Sequence, residues 1–240
     1  MIDFHDVWAR RGESAVLRGA TLAVGAGETL ALVGRSGAGK TTLLRLVNRL
    51  TTADRGAVVV DGRDTREWDA VALRRRVGYV VQDVGLFPHF TVDRNVATVP
   101  QLLGWEATRI EARVAELLTL VGLDPPTFRT RWPDELSGGQ RQRVGLARAL
   151  AADPSVLLMD EPFGALDPMT RLGLHEAFRT LQAGRRRTVL LVTHDISEAF
   201  AIADRVAVVD EGRVIACASP ALLAEVADPR VRALLETRFG

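Results

Sequence analysis

The sequence predicts an α/β fold: a mainly parallel sheet covered by helices, with an antiparallel β subdomain at the N-terminus and a helical subdomain inserted into the core. Three observations carry this. Residues 1–65 read mainly as strands broken by Gly-rich turns. From about Asp83 to Ala152 strand character gives way to helical spacing. From Ser155 onward short apolar strings alternate with helical patterns, the order in which a parallel sheet and its crossover helices are written along a chain. The whole of 1–240 is read as one domain, with about 83–152 as the insertion.

In order, "IDFHDVW", "ATLAV", "TLALVG" and "AVVVDG" are the early strands, and "KTTLLRLVNRL" is the only helical spacing among them. "RVGYVVQ", Arg76 to Gln82, is one more strand. The insertion carries two clear helical patterns, "WEATRIEARVAELLTLVGL" and "GGQRQRVGLARALAA". The remainder runs "SVLLMDE" (strand), "DPMTRLGLHEAFRTLQAG" (helix), "TVLLVTH" (strand), "SEAFAIA" (helix) and "RVAVVDEGRVIACA" (strand). No internal repeat, low-complexity tract or long linker interrupts them.

Composition excludes several function classes. With 47% hydrophobic and 25% charged residues the chain has the make-up of an ordinary globular protein. A net charge of +1 gives no global attraction to nucleic acid, and the short runs Arg74–Arg76 and Arg185–Arg187 read as solvated surface, so no nucleic-acid partner is expected. The single cysteine, Cys217, has no internal disulfide partner, which fits a reducing compartment. "MIDFHDVWARR" carries acid from its third residue and no apolar core, so neither a secretory signal nor an anchor is expected there. The longest apolar strings, such as "VLLM" and "VLLV", have strand length, so any membrane role must come through a partner.

Lys40 is the only lysine among 31 basic residues. It lies in "GRSGAGKT", which fits G-x-x-x-x-G-K-[ST] from Gly34 to Thr41, follows the apolar "TLALV" and opens the helical "KTTLLRL". Gly34, Gly37 and Gly39 let the backbone wrap so that N–H groups of the loop, including those of Arg35, Ser36 and Ala38, turn inward on an anion at a helix N-terminus, with Thr42 on the first turn. In such a loop Lys40 reaches the β- and γ-phosphates of a nucleotide and Thr41 places its hydroxyl on Mg²⁺. The expected core is therefore that of a P-loop NTPase. A lysine suits the position because its ammonium is a compact point charge on a flexible stem.

"VLLMDE" ends an apolar strand on Asp160 and Glu161. At the carboxyl end of a parallel strand both face the crevice in which α/β sheets bind ligands. Asp160 is the natural partner of the Mg²⁺ held by Thr41, and Glu161 is placed to orient or deprotonate a water in line with the γ-phosphate.

Between the two lies "LSGGQRQRVGLARAL", Leu136 to Leu150. It resembles the signature motif of ABC-transporter ATPase subunits, and the resemblance extends over essentially the whole chain. Gln82 resembles the Q-loop glutamine, which implies contact with the metal and water and a place beside the membrane partner. "GALD", ending at Asp167, resembles the D-loop, and His194 resembles the switch histidine, a sensor of the γ-phosphate. His5, His89 and His175 have no such framing. The resemblance implies ATP and Mg²⁺ as ligands and a head-to-tail homodimer, in which Ser137, Gly138, Gly139 and Gln140 close over the other copy's ATP. Read without it, Ser137 begins an N-capped surface helix.

The stretch "DVGLFPHFTVDRNVATVPQLLGW", together with "PFGALDP", is similar to that in ATPase subunits of importers for osmoprotectants such as glycine betaine, choline and carnitine. This implies transmembrane permease subunits as direct partners, a solute-binding protein as an indirect one, and a place at the cytoplasmic face of the cell membrane. Phe87 and Phe90 are candidates either for permease docking or for the core. Another solute importer, or a soluble non-transport ATPase of the same family, is the alternative. No regulatory domain is expected beyond Gly240. One departure stands out: where related ATPases stack an aromatic side chain on adenine after the first strand, this chain places Arg11, with Trp8 three residues earlier.

Overall fold

The computed structural model describes residues 1–164 and 166–236. In chain order the elements are β1 (Ile2–Arg11), β2 (Ser14–Val24), β3 (Thr29–Val33), α1 (Lys40–Val47), β4 (Arg55–Val60), β5 (Arg63–Asp64), α2 (Ala70–Arg76), β6 (Val77–Val80), α3 (Val92–Leu102), α4 (Ala107–Leu120) and α5 (Pro125–Phe128). They continue with α6 (Gly138–Leu150), β7 (Val156–Asp160), α7 (Pro168–Gly184), β8 (Thr188–Val192), α8 (Ile196–Ile202), β9 (Arg205–Asp210), β10 (Arg213–Ala218), α9 (Pro220–Leu223) and α10 (Pro229–Glu236). The chain forms two compact units, one of residues 1–74 and 187–240 and one of residues 75–186.

The first unit holds an antiparallel sheet in the order β2-β1-β4-β5 and a group of strands in which β8 and β9 both run parallel to β3, with β10 antiparallel on β9. β3 and β8 are buried along their whole length, which is why both read as unbroken apolar strings rather than alternating ones. β1 runs further than its sequence pattern indicates. Trp8 lies within the strand, as does Arg11, which pairs with Ser14 across a two-residue turn containing Gly12 at φ 61°. An irregularity in register between Ala9 and Arg10 breaks the inward–outward alternation, so Arg10 and Arg11 are both exposed.

The second unit pairs β6 and β7 in parallel beside the helices of the insertion. α4 buries Ile110, Val114, Leu117 and Leu118, a stripe at i, i+4, i+7 and i+8, and packs on α3 and α6. Each of those side chains contributes about 1.5–3 kcal/mol by leaving water. α3 has no obvious helical signature in sequence because Pro100 lies inside it, near its C-terminal end. It is held instead by an N-cap, the Thr91 hydroxyl accepting from Arg94 N–H, and by Asn95, a fully buried polar side chain.

Candidate functional site

In the first unit β3 delivers the chain into the Gly-rich loop. At Gly34 φ is 149°, and a Cβ there would lie 2.0 Å from the carbonyl oxygen of Val209 on β9, so only glycine fits. Arg35, Ser36 and Gly37 are exposed, whereas Ala38, Gly39 and Lys40 are buried. The Lys40 ammonium donates to the carbonyls of Gly34, at 2.7 Å, and Arg35, at 2.9 Å. One small cation thus bonds two successive carbonyls at the entry of the loop from a position at its exit, a demand that fits lysine better than the planar fork of arginine. Thr41 and Thr42 follow on the first turn of α1, both half-buried.

The N-terminus of α1 is unlike those of the helices around the other motifs. Its N-cap is Gly39 in a left-handed conformation, which offers no side-chain acceptor, and no acid lies in the first turn. α6, α7 and α8 are capped by Ser137, Asp167 and Asp195. α1 thus begins without a capping side chain or an acid of its own, at an end whose dipole favours an anion.

β3 and β8 pair in register with Leu32 opposite Val192, and the Thr193 amide donates to the Leu32 carbonyl at 3.2 Å. The phosphate loop and His194 therefore leave the same edge of the strand layer, with His194 exposed. Arg11 is exposed at the tip of the β1–β2 hairpin. Trp8 is half-buried; its indole N–H donates to the Asp6 carboxylate at 3.0 Å.

In the second unit β6 and β7 align Val80 with Met159, so Gln82, Asp160 and Glu161 emerge at one end of that pair. Asp160 is 1% exposed. Glu161 has φ 49°, a left-handed conformation that costs a non-glycine residue about 1–2 kcal/mol. The Gln142 side chain, itself buried, reaches from α6 to donate to the Glu161 carbonyl at 2.8 Å. A strained acidic residue fixed from a neighbouring helix at the end of a parallel strand is the kind of backbone outlier that gathers at reactive sites.

The turn after Gln82 is strained too, with Val84 at φ 57°. Arg148 on α6 donates to the carbonyls of Val84 and Gly85, both at 2.7 Å, and burial lowers the pKa of its guanidinium. Asn95 does the same for the next segment, accepting from the Phe87 amide and donating to the carbonyls of Phe87, Phe90 and Thr91. Neither residue is singled out by the sequence, because an arginine or asparagine inside a helical pattern gives no sign of the backbone it will hold. Phe87 is 40% exposed and Phe90 half-buried, so neither belongs to the core. Arg148→Ala is expected to cost roughly 2–3 kcal/mol of stability, since charged bonds to two carbonyls disappear, and urea unfolding of the variant measures it.

Ser137 and Gln140 form a capping box: the Ser137 hydroxyl accepts from the Gln140 amide at 3.2 Å, and the Gln140 side chain accepts from the Ser137 amide at 2.9 Å. The hydroxyl keeps its own proton to donate elsewhere. Gly138 is exposed, with open space where a Cβ would stand. Asp167 caps α7 ahead of Pro168, and bonds from Thr170 hold its carboxyl below the usual carboxylate range. Of the "GALD" stretch, Ala165 lies outside the described residues.

A Gly-rich loop between a buried parallel strand and an uncapped helix, with its lysine folded into it, defines a P-loop NTPase fold. The ABC transporter family model matches residues 17–164, and the chain belongs to that family. It is 50% identical over 194 residues to the osmoprotectant import ATP-binding protein OsmV of Salmonella typhimurium, covering 81% of this chain and 51% of that protein. It is 46% identical over 220 residues to the glycine betaine uptake system ATP-binding protein YehX of Escherichia coli, covering 92% and 71%. The chain thus spans about half the length of OsmV. Among solved structures, a dimeric ATP-binding cassette in a post-hydrolysis state with ADP and Pi superimposes with a TM-score of 0.83 at 31% identity, over 91% of this chain and 98% of that one.

Proposed function

We propose that this chain is the ATP-hydrolysing subunit of a membrane importer for quaternary-amine osmoprotectants. The observation that carries the reading is the phosphate loop, a Gly-rich turn whose helix lacks a side-chain cap and whose lysine is buried within it. The loop from Gly34 through Thr42 binds the nucleotide phosphates, with backbone N–H groups of Arg35, Ser36, Gly37 and Gly39 as donors, Ala38 closing the turn through its amide to the Arg35 carbonyl at 3.2 Å, and Lys40 as the cation. Mg²⁺ takes phosphate oxygens, waters and a few protein oxygens, of which one or two are carboxylates, rather than an all-protein cage. The Thr41 hydroxyl, the Asp160 carboxylate and the Gln82 amide oxygen fit that need. The metal supplies charge neutralisation on the transferring phosphoryl group. Glu161 orients the attacking water and takes its proton, His194 donates to the γ-phosphate, and Asp167 bears on the nucleotide site.

The signature residues Ser137 and Gly138, both exposed, and Gly139 and Gln140, both half-buried, close over the ATP of a second copy, as the dimeric state of the superimposing cassette supports. Among the described residues no helix is long and apolar enough to cross a membrane. The membrane-spanning part is assigned to permease subunits, with this chain on their cytoplasmic face and a solute-binding protein upstream. The osmoprotectant assignment rests on the two curated relatives. Uptake of labelled glycine betaine, choline and carnitine by vesicles holding the chain with its permease tests it. ATP-dependent uptake of another solute class, with none of these, overturns it.

Arg11 covers the adenine in this reading. An arginine plane stacked on a base adds about 0.5–1 kcal/mol at an exposed site. Arg11→Ala should therefore weaken ATP binding about threefold and leave a modest preference for ATP over GTP, read by nucleotide titration. A large loss for Trp8→Ala in a folded protein, with none for Arg11→Ala, assigns the base to Trp8 instead.

A further inference from the structure

β9 and β10 are joined by a two-residue turn, Glu211–Gly212, with φ 44° and 78°, the pair of positive values a tight hairpin of this twist requires. The turn is wedged against two other elements. The Gly212 amide donates to the carbonyl of Ala38 in the phosphate loop at 3.1 Å, and the Gly212 carbonyl accepts from the Arg18 amide on β2 at 2.9 Å. The fit leaves no room for a side chain: a Cβ at 212 would lie 2.4 Å from the Val16 carbonyl oxygen and 3.0 Å from the Leu17 Cα. A Cβ on Gly39 would meet the same strand, 2.7 Å from the Leu17 side chain and 2.9 Å from the Val16 carbonyl oxygen. Phosphate loop, hairpin turn and β2 therefore meet backbone to backbone at two glycines.

We propose that Gly212 is a positioning residue for phosphate binding, its amide fixing the direction in which the Gly39 amide points. The Ala38–Gly39 peptide is trans and planar, so its C=O and N–H point in opposite directions. Tying the Ala38 carbonyl to Gly212 turns the Gly39 N–H away from the hairpin, and the wall of β2 against Gly39 blocks the peptide from rotating back. The donor is thereby set before any ligand arrives, which is what makes a loop amide effective toward a phosphate oxygen. This rests on the reading of residues 34–42 as the phosphate cradle.

The test compares ATP, ADP and AMP on wild-type protein and on Gly212→Ala, each checked for folding by circular dichroism. The added Cβ forces the turn off the loop, so ADP and ATP affinity should fall about tenfold, the loss of one charge-assisted bond. AMP affinity should hold within about twofold, and kcat should change far less than KM, because Asp160 and Glu161 are untouched. Equal weakening of all three nucleotides, or of none, overturns the proposal. Should Gly212→Ala fail to fold, amide hydrogen exchange in wild-type protein decides: exchange of the Gly212 amide should slow on binding ADP and much less on binding AMP. An unchanged Gly212 amide overturns the proposal. A wild-type chain that binds no ADP overturns the phosphate reading itself, whereas ADP binding without these patterns overturns only the role of Gly212.

Discussion

Glu161→Gln is expected to bind ATP as tightly as wild type while hydrolysing it roughly 10²- to 10⁴-fold more slowly, the range for loss of a general base. The change is nearly isosteric and leaves the backbone at φ 49° and the bond from Gln142 to the Glu161 carbonyl in place, so the fold should persist. What disappears is the carboxylate assigned to the water: an amide neither accepts a proton from water nor carries the charge that aligns it. Asp160 does not take over, because it is 1% exposed at the end of β7 and is assigned to the metal. The measurement is steady-state phosphate release beside a filter-binding titration of ATP. Near-wild-type release moves the base to another residue, and lost binding shows Glu161 to be part of the nucleotide site. Gln142→Ala separates orientation from chemistry. It removes the tether on the Glu161 carbonyl but not the carboxylate, so a smaller fall, on the order of tenfold, is expected.

The parts of this architecture that declare themselves in sequence are those whose cause is local. A strand buried on both faces is written as an unbroken apolar string, as in β3, β7 and β8. A turn with no room for a Cβ is written as glycine, as at Gly34. A helix buried on one stripe shows its period, as α4 does. Other features depend on what arrives from elsewhere in the chain. Nothing in "NVATVPQLLG" announces that Asn95 will bond four backbone groups of the preceding loop, nor does "GLARAL" show that Arg148 will hold the turn after Gln82. Gly212 reads as an ordinary hairpin glycine until the phosphate loop is seen bonded to it. The end of β1 was obscured for a related reason. Paired arginines at 10 and 11 look like a loop, but cross-strand pairing with Ala15 and Ser14 keeps them in the strand. The adenine candidate therefore sits at a hairpin tip whose backbone is defined, rather than in a free loop.

Mixing two inactive variants should restore activity if the signature motif of one copy serves the nucleotide of another. Lys40→Ala removes the cation that bonds the Gly34 and Arg35 carbonyls and should reduce turnover at least a hundredfold through lost phosphate binding. Ser137→Arg places a long side chain at an exposed N-cap, breaks the reciprocal bonds with Gln140, and obstructs the face proposed to meet the partner's ATP. Each homodimer then lacks both sites. In a mixed dimer both defects fall on one composite site, since the altered loop of one chain faces the altered signature of the other, and the remaining site is intact. With random exchange about half of the dimers are mixed, so activity well above either parent is expected, up to about a quarter of wild type if single sites turn over independently. Exchange itself is followed by energy transfer between labelled chains. If mixing is complete and no activity returns, the decisive measurement is a disulfide crosslink between Ser36→Cys and Ser137→Cys in a Cys217→Ser background. Two crosslinks per dimer, promoted by ATP in a hydrolysis-deficient Glu161→Gln chain, show the head-to-tail arrangement and mean that both sites must fire together. Absence of any crosslink between chains shown to associate overturns the arrangement, leaving the Ser137–Gln140 capping box as the whole function of that turn.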